Sequence, residues 1–291
     1  MSNGTESIQR VGVVGCGLMG SGIAEVCARA GLNVMIREAT AEAAEAGRAR
    51  LVTSLDRGVT AQKLTEADRD AALSRLSFTT DVADLADRDL VVEAIVEDED
   101  LKVGLFRELD KVVESSQAIL ASNTSSIPIM KLGTATSRPE QVIGIHFFNP
   151  VPVLRLVELV ESLMTSEETS ARAESFATDI LSKRVIHSQD RAGFVVNALL
   201  IPYLLSAIRM MESGFASAED IDVGMVEGCS HPMGPLRLTD LIGLDTTLAV
   251  AQSLYEEFKE PLYAPPPLLS RMVDAGLLGR KSGRGFYEYR R

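Results

Sequence analysis

Val11-Gly12-Val13-Val14 runs directly into Gly15-Cys16-Gly17-Leu18-Met19-Gly20, and the reading of this junction decides the fold. A short apolar run ending in a glycine cluster reads as a buried strand entering a tight turn. Ile23, Val26, Cys27 and Ala30 then fall at i, i+3, i+4 and i+7, one buried helical stripe, and Gly31 stands where a helix should stop. Val34-Met35-Ile36 supplies a second strand, so strand, turn, helix and strand fit into about 30 residues, the size of a βαβ unit. In that context Gly15 permits the turn, Gly17 lets the backbone approach a pyrophosphate, and Gly20 lets the helix pack closely on the strand. The helix start offers N–H groups and partial positive charge to phosphates. Gly15, Cys16, Gly17, Leu18, Met19 and Gly20 are therefore expected to hold a dinucleotide. Glu38, 18 residues after Gly20, stands near the spacing of a carboxylate that bonds the adenosine ribose hydroxyls. It favours NAD and repels the extra phosphate of NADP; Arg37 beside it works in the opposite direction.

Outward from this unit, residues 40–73 read as helix interrupted near Gly58. Residues 90–96, 118–122 and 142–148 are apolar runs of strand length, separated by an amphipathic helix over 99–113 and a loop region. Alternating strands and helices predict an α/β fold with a Rossmann-type, doubly wound, mostly parallel sheet. The pattern changes after residue 188. Residues 193–211 are nearly all apolar, no strand period follows, and loops fall at His231-Pro232-Met233-Gly234-Pro235 and Pro265-Pro266-Pro267. The expected division is a dinucleotide-binding domain over 1–188 and a smaller all-helical C-terminal domain over 189–291. Pro202, Asn197 and Arg209 interrupt the apolar stretch, which makes it a core or dimer helix rather than a membrane span.

Composition limits the function. The 291 residues are 46% apolar and 24% charged, an ordinary globular balance, and the length suits two domains. A formal charge of −12, from 29 basic and 41 acidic side chains, disfavours nucleic acid and anionic membranes. No apolar run of about 18 residues occurs and residues 1–10 are polar, so the expected location is cytoplasmic. Three scattered cysteines suit a reducing compartment and make neither a disulfide framework nor a zinc cage. The three histidines, His146, His187 and His231, lack ligand spacing, so no metal is expected. Cys16 has no histidine or carboxylate beside it in sequence, which argues against thiol catalysis.

The chemistry is expected in Ile145-His146-Phe147-Phe148-Asn149-Pro150-Val151-Pro152 and the strand that follows. The two prolines reverse the chain. In the returning strand Leu154, Leu156, Glu158 and Val160 share one face by the period of two. A carboxylate on an apolar face needs a partner, and His146 is the nearest by topology. A lone histidine at a strand end serves structure more often than chemistry. Joined to a dinucleotide fold and a carboxylate 12 residues on, it reads as a general acid/base whose tautomer Glu158 sets. Ser122-Asn123-Thr124-Ser125-Ser126 follows another strand. Its hydroxyls either reach the crevice beyond the strand ends or cap the next helix.

Taken together, these segments resemble the 3-hydroxyacyl-CoA dehydrogenase family. The resemblance rests on residues 15–24, 92–97, 121–126 and 146–150, on Gly193-Phe194-Val195-Val196-Asn197, on Pro232-Met233-Gly234-Pro235 and on residues 283–287, and it spans nearly the whole chain in order. It implies NAD-dependent, reversible oxidation of a (3S)-3-hydroxyacyl-CoA, with short chains favoured, by a homodimer paired through its C-terminal domain. It implies His146 as acid/base with Glu158, and Ser125 and Asn197 as substrate contacts. Ser125, Glu97, Lys102, Asn149 and Lys281 become nicotinamide-cofactor contacts. For CoA, Ser54 matches a family contact, whereas the family's nearby lysine falls on Ala61, leaving Arg57 or Lys63 to replace it. Glu38 stands where the family usually has aspartate. The competing readings are a dehydrogenase of a free hydroxy or sugar acid and a non-catalytic NADH-binding protein.

Overall fold

The computed structural model describes residues 8–289; residues 1–7 of the polar amino-terminal segment lie outside them. The chain divides into two compact units, residues 1–191 and 192–291, three residues beyond the expected boundary.

The first unit holds an eight-stranded sheet in the order β3-β2-β1-β4-β5-β6-β7-β8. Its strands are β1 (Arg10–Val14), β2 (Asn33–Arg37), β3 (Leu76–Thr79), β4 (Leu90–Glu93), β5 (Ile119–Ser122), β6 (Val142–Phe147), β7 (Leu156–Glu161) and β8 (Arg184–Gln189). Strands β1 to β6 run parallel, β7 reverses against β6, and β8 runs parallel to β7. The first six strands follow the order of a doubly wound dinucleotide fold. Because β1, β4, β5 and β6 are parallel, their carboxyl ends share one edge, where the glycine turn, the segment after β5 and His146 all lie. The central strands are apolar on both faces, as a sheet covered by helices requires: all four residues of β4 and of β5 and all six of β6 are buried.

Among the described residues, six α-helices complete this unit: α1 (Leu18–Arg29), α2 (Ala41–Thr60), α3 (Glu66–Ser74), α4 (Glu99–Val112), α5 (Ile129–Thr134) and α6 (Glu167–Ser175). Side chains cap four of them: Thr40 accepts from Ala43 N, Thr65 and Asp68 form a reciprocal capping box, Asp98 accepts from Leu101 N, and Ser166 accepts from Thr169 N. At α1 the cap is Gly17, which has no side chain to offer. The expected break at Gly58 is displaced, because α2 runs through Gly58 and ends at Thr60. Gly58 serves packing instead: a Cβ there would lie 2.7 Å from Leu64 Cδ1, so its absence lets the α2–α3 turn fold back. Strands β3 and β8 escape a sequence reading. Both are sheet edges, and neither contains a buried residue.

The second unit contains α7 (Val196–Glu212), α8 (Ala218–Cys229), α9 (Pro235–Ile242), α10 (Leu244–Phe258) and α11 (Pro267–Asp274). Its core gathers Ile201, Leu205, Ile208, Leu236, Leu244, Leu254 and Leu269. Pro202 does not break α7, which continues through it. The ring removes one helical hydrogen bond, and burial of Ile201, Leu204, Leu205 and Ile208 around it outweighs that loss. Two buried carboxylates organise the rest. Asp222 accepts from Leu236 N and Arg237 N at the start of α9, and Asp240 accepts from Phe286 N and Tyr287 N in the terminal segment.

Candidate active site

The glycine turn has the geometry its spacing implied. Gly15 has φ +90°, which favours glycine, and a Cβ on Gly20 would lie 1.8 Å from the Gly15 carbonyl oxygen. The helix can meet the strand only without that atom, whereas a Cβ on Gly17 would face open space. The turn opens on a cavity of about 740 Å³ lined by Gly15, Gly17, Leu18, Met19, Arg37, Glu38, Glu97, Lys102, Asn123 and Ser125, among others. Glu38 follows the last residue of β2 and accepts a short hydrogen bond from Cys16 N. Arg37 Nε is buried and has no partner among the described residues.

Below this cavity lies a charged network. Lys102 on α4 is 1% exposed, and its Nζ lies 3.0 Å from Glu93 and 2.7 Å from Glu97. Glu93, at the end of β4, accepts from Ser122 Oγ at 2.5 Å and from Ile95 N at 2.7 Å. Glu97 gathers the segment after β5, accepting from Thr124 Oγ1, Ser125 N, Ser126 N and Ser126 Oγ. Burial pushes the Glu93 carboxyl above its ordinary value, and Lys102 offsets this only in part. For Glu97 burial acts in the same sense, but Lys102 and the hydroxyl donors outweigh it and hold the carboxyl low. The serine-rich segment is thus fastened to an ionised carboxylate, which sets Ser125 at the cavity wall. The sequence gives Glu93 no role in the site, and it places Asn123 only in the polar segment after β5 without its tie to β6. Asn123 Oδ1 accepts from Phe147 N and so ties the β5 segment to the end of β6. The one sequence signal for Glu93 is its charge at the end of an apolar strand.

His146 and Glu158 are direct antiparallel partners on β6 and β7, so their side chains share a face. His146 Nδ1 lies 2.7 Å from Glu158 Oε2, with the histidine 6% exposed and the glutamate fully buried. A carboxylate on Nδ1 holds the ring proton there and makes Nε2 the basic nitrogen. The Phe148 ring packs against the imidazole at 4.6 Å. A strand-end histidine held by a buried carboxylate therefore stands on the same sheet edge as the glycine turn.

Family models agree with this geometry over both units. One described as 3-hydroxyacyl-CoA dehydrogenase, NAD binding domain, matches residues 10–191, and one described as the C-terminal domain matches residues 193–289. The chain belongs to the 3-hydroxyacyl-CoA dehydrogenase family. It is 62% identical to a 3-hydroxybutyryl-CoA dehydrogenase of Mycobacterium tuberculosis over 98% of this chain and 100% of that one. The crystal structure of M. tuberculosis FadB2 superposes with a TM-score of 0.97 at 62% identity, covering 98% of this chain and 100% of that one. That of (S)-3-hydroxybutyryl-CoA dehydrogenase PaaH1 from Ralstonia eutropha gives 0.92 at 49%, again covering 98% and 100%.

The remaining family-matched residues divide between the units. Asn149 follows β6 and lines a second cavity of about 600 Å³ together with Ser21, Arg50, Ser54, Arg57 and Pro150. Ser54 and Arg57 thus share a cavity, whereas exposed Lys63 lies in the turn after α2 and is not among its lining residues. Asn197 stands in the first turn of α7, and Lys281 Nζ donates to Asp245 Oδ2 at 2.6 Å; both belong to the second unit. Cys16 is structural. Burial, aided by Glu38, pushes its thiol up to about 12, and burial does the same to Cys27. The native protein should therefore release one equivalent of thionitrobenzoate with Ellman's reagent at neutral pH, from exposed Cys229, and three after denaturation. Two or more fast-reacting native thiols would refute the burial of the glycine-turn cysteine.

Proposed function

We propose that this dehydrogenase catalyses the NAD-dependent, reversible oxidation of the 3-hydroxyl of (3S)-3-hydroxybutyryl-CoA to give acetoacetyl-CoA. The observation that carries the reading is the buried His146–Glu158 pair, 2.7 Å apart, on the sheet edge that also bears the glycine turn. The cavity fits the dinucleotide: Gly17 leaves space for the backbone to approach a phosphate, and the buried Arg37 Nε awaits an acceptor. Gly15, Gly17 and the start of α1 would hold the pyrophosphate, and Glu38 the adenosine ribose. Glu38 favours NAD over NADP because a carboxylate repels a 2′-phosphate. Bound there, the cofactor supplies the acceptor for the C3 hydride.

The protein's own part is proton transfer and alignment. His146 Nε2 takes the hydroxyl proton as the C3 hydride departs, and Glu158 stabilises the imidazolium formed. Ser125 orients the reacting oxygen, Asn197 contacts the acyl thioester, and Glu97, Lys102, Asn149 and Lys281 shape the nicotinamide side. Pairing of two chains through the second unit is supported by its exposed apolar side chains, Leu199 at 74%, Phe215 at 79% and Val223 at 52%. A cytoplasmic location accords with the cysteine usage.

The test is oxidation of NADH and NADPH with acetoacetyl-CoA beside a longer 3-oxoacyl-CoA. Turnover with NADH and acetoacetyl-CoA is expected, with NADPH and the longer chain slower. Activity on free hydroxy acids and none on acetoacetyl-CoA would overturn the substrate, and tight NADH binding without turnover would overturn the enzyme reading.

A further inference from the structure

Phe147 directly follows the proposed acid/base His146, and its backbone N–H has an unusual acceptor. Strands β5 and β6 pair Leu120 with Val142, Ala121 with Ile143 and Ser122 with Gly144. Continued at that register, the ladder would set Ser125 opposite Phe147, and a backbone carbonyl of the β5 chain would accept from the Phe147 N–H. The chain instead leaves the ladder after Ser122, where Glu97 gathers Thr124, Ser125 and Ser126 to itself. Asn123 fills the gap with its side chain: Oδ1 accepts from Phe147 N at 2.9 Å, and its own backbone N–H donates to the Glu93 carbonyl. One residue after β5 is thus fastened to the ends of both neighbouring strands, β4 and β6.

That bond also fixes which way the amide faces. A backbone N–H only donates, so the Asn123 atom beside it is the oxygen, and the NH2 group is what remains for the cavity that Asn123 lines. Nδ2 has no hydrogen-bond partner among the described residues. Strand order decides which half of a dinucleotide it meets. In the run β2-β1-β4-β5, Glu38 follows β2, the glycine turn follows β1 and Asn123 follows β5. Three strand steps of about 4.8 Å put Asn123 about 14 Å along the edge from Glu38, on the far side of the turn. With the adenosine ribose at Glu38 and the pyrophosphate at the turn, the nicotinamide riboside is the part that reaches Asn123. Its hydroxyls and its carboxamide oxygen are acceptors for an N–H.

We propose that Asn123 couples the cofactor site to the acid/base: Oδ1 holds the residue after His146 in place, and Nδ2 donates to an oxygen of the nicotinamide riboside. This rests on the dinucleotide reading of the cavity given above. Asparagine suits both ends because its amide carries an acceptor and a donor on one plane. Aspartate keeps the acceptor for Phe147 N and loses the donor, whereas alanine keeps neither.

The experiment compares the full chain with Asn123→Asp and Asn123→Ala. It measures the Kd of NADH by fluorescence, the Kd of ADP by competition, kcat for acetoacetyl-CoA at saturating NADH, and the urea unfolding midpoint. In Asn123→Asp the Kd of NADH should rise about tenfold, the effect of one lost hydrogen bond. The Kd of ADP, which lacks the nicotinamide riboside, and the unfolding midpoint should stay at their wild-type values. Asn123→Ala should weaken NADH as much and lower kcat below that of Asn123→Asp, because only the aspartate still accepts from Phe147 N. An unchanged Kd for NADH in Asn123→Asp, or an equal rise for ADP, which is a charge effect on the whole cavity, overturns the cofactor contact. Equal kcat in the two variants, or a fall in the midpoint of Asn123→Asp, overturns the hold on β6. The aspartate arm decides the assignment even if the alanine variant does not fold. No binding of NADH by the wild type would overturn the dinucleotide reading beneath it.

Discussion

His146→Ala should lower kcat for acetoacetyl-CoA reduction by roughly 10²- to 10⁴-fold, the usual contribution of a positioned acid/base, while the Kd for NADH stays unchanged. At 1.36 kcal/mol per tenfold, this is a barrier rise of about 3 to 5 kcal/mol. The expectation follows from position. The imidazole is nearly buried, its Nδ1 is held by a carboxylate at 2.7 Å, and it stands at the end of a parallel strand, where a doubly wound sheet keeps its ligands. Alanine removes the proton acceptor and leaves the glycine turn and Glu38 intact, so cofactor affinity and turnover should separate. Glu158→Gln provides the second arm. An amide oxygen still accepts from Nδ1–H, but it carries no charge to stabilise the imidazolium, so kcat should fall again with NADH binding retained. Steady-state rates beside a fluorescence titration of NADH read both quantities. Wild-type turnover in His146→Ala would remove the histidine from the chemistry, and wild-type turnover in Glu158→Gln would reduce the glutamate to a structural role.

Lys102→Met should cost roughly 3 to 5 kcal/mol of folding stability, the range for breaking a buried ion pair from one side. Methionine fills the volume of the aliphatic stem but leaves Glu93, fully buried, and Glu97 without their cation. The loss should depend on pH in a definite sense. The Glu93 carboxyl is already raised by burial, and removing Lys102 raises it further. A group whose folded pKa exceeds its unfolded one binds more protons in the folded state, so its contribution to stability is largest at low pH and declines as pH rises through the folded value. The deficit of Lys102→Met measured by urea unfolding should therefore be smaller at pH 5.5 than at pH 8. A deficit under 1 kcal/mol, or one that ignores pH, would show that the network carries little of the fold. The variant should also loosen the Ser125 segment, because Glu97 holds it through four hydrogen bonds.

Much of the site was legible along the chain, and the reason is short range. The constraints at Gly15 and Gly20 act between residues five apart, so composition and order suffice to specify the turn. His146 and Glu158 are 12 residues apart in one antiparallel hairpin; once the prolines reverse the chain, the period of two places both side chains on one face. Resemblance to a family added Ser125, Glu97 and Lys102, but not the reason they cluster. The edge strands β3 and β8 were not legible. Each contacts a single neighbouring strand and lacks buried residues, so neither carries an apolar signal.

Local backbone chemistry thus settles, within the linear chain, the dinucleotide turn, the doubly wound class and the paired histidine and glutamate. The burial of Lys102 is a different matter. A lysine in the first turn of an amphipathic helix is normally solvated, and this one is buried with its ammonium between Glu93 at the end of β4 and Glu97 in the segment that follows. A cavity of about 470 Å³ lined by Arg29, Arg75, Arg155 and Lys183 depends still more on the assembled fold: these residues share no period or motif, and the packing of α1, α3, the β6–β7 connection and the start of β8 brings them together. Charge is summed over space, not over sequence, and a chain with a net charge of −12 can still gather four cations around one cavity.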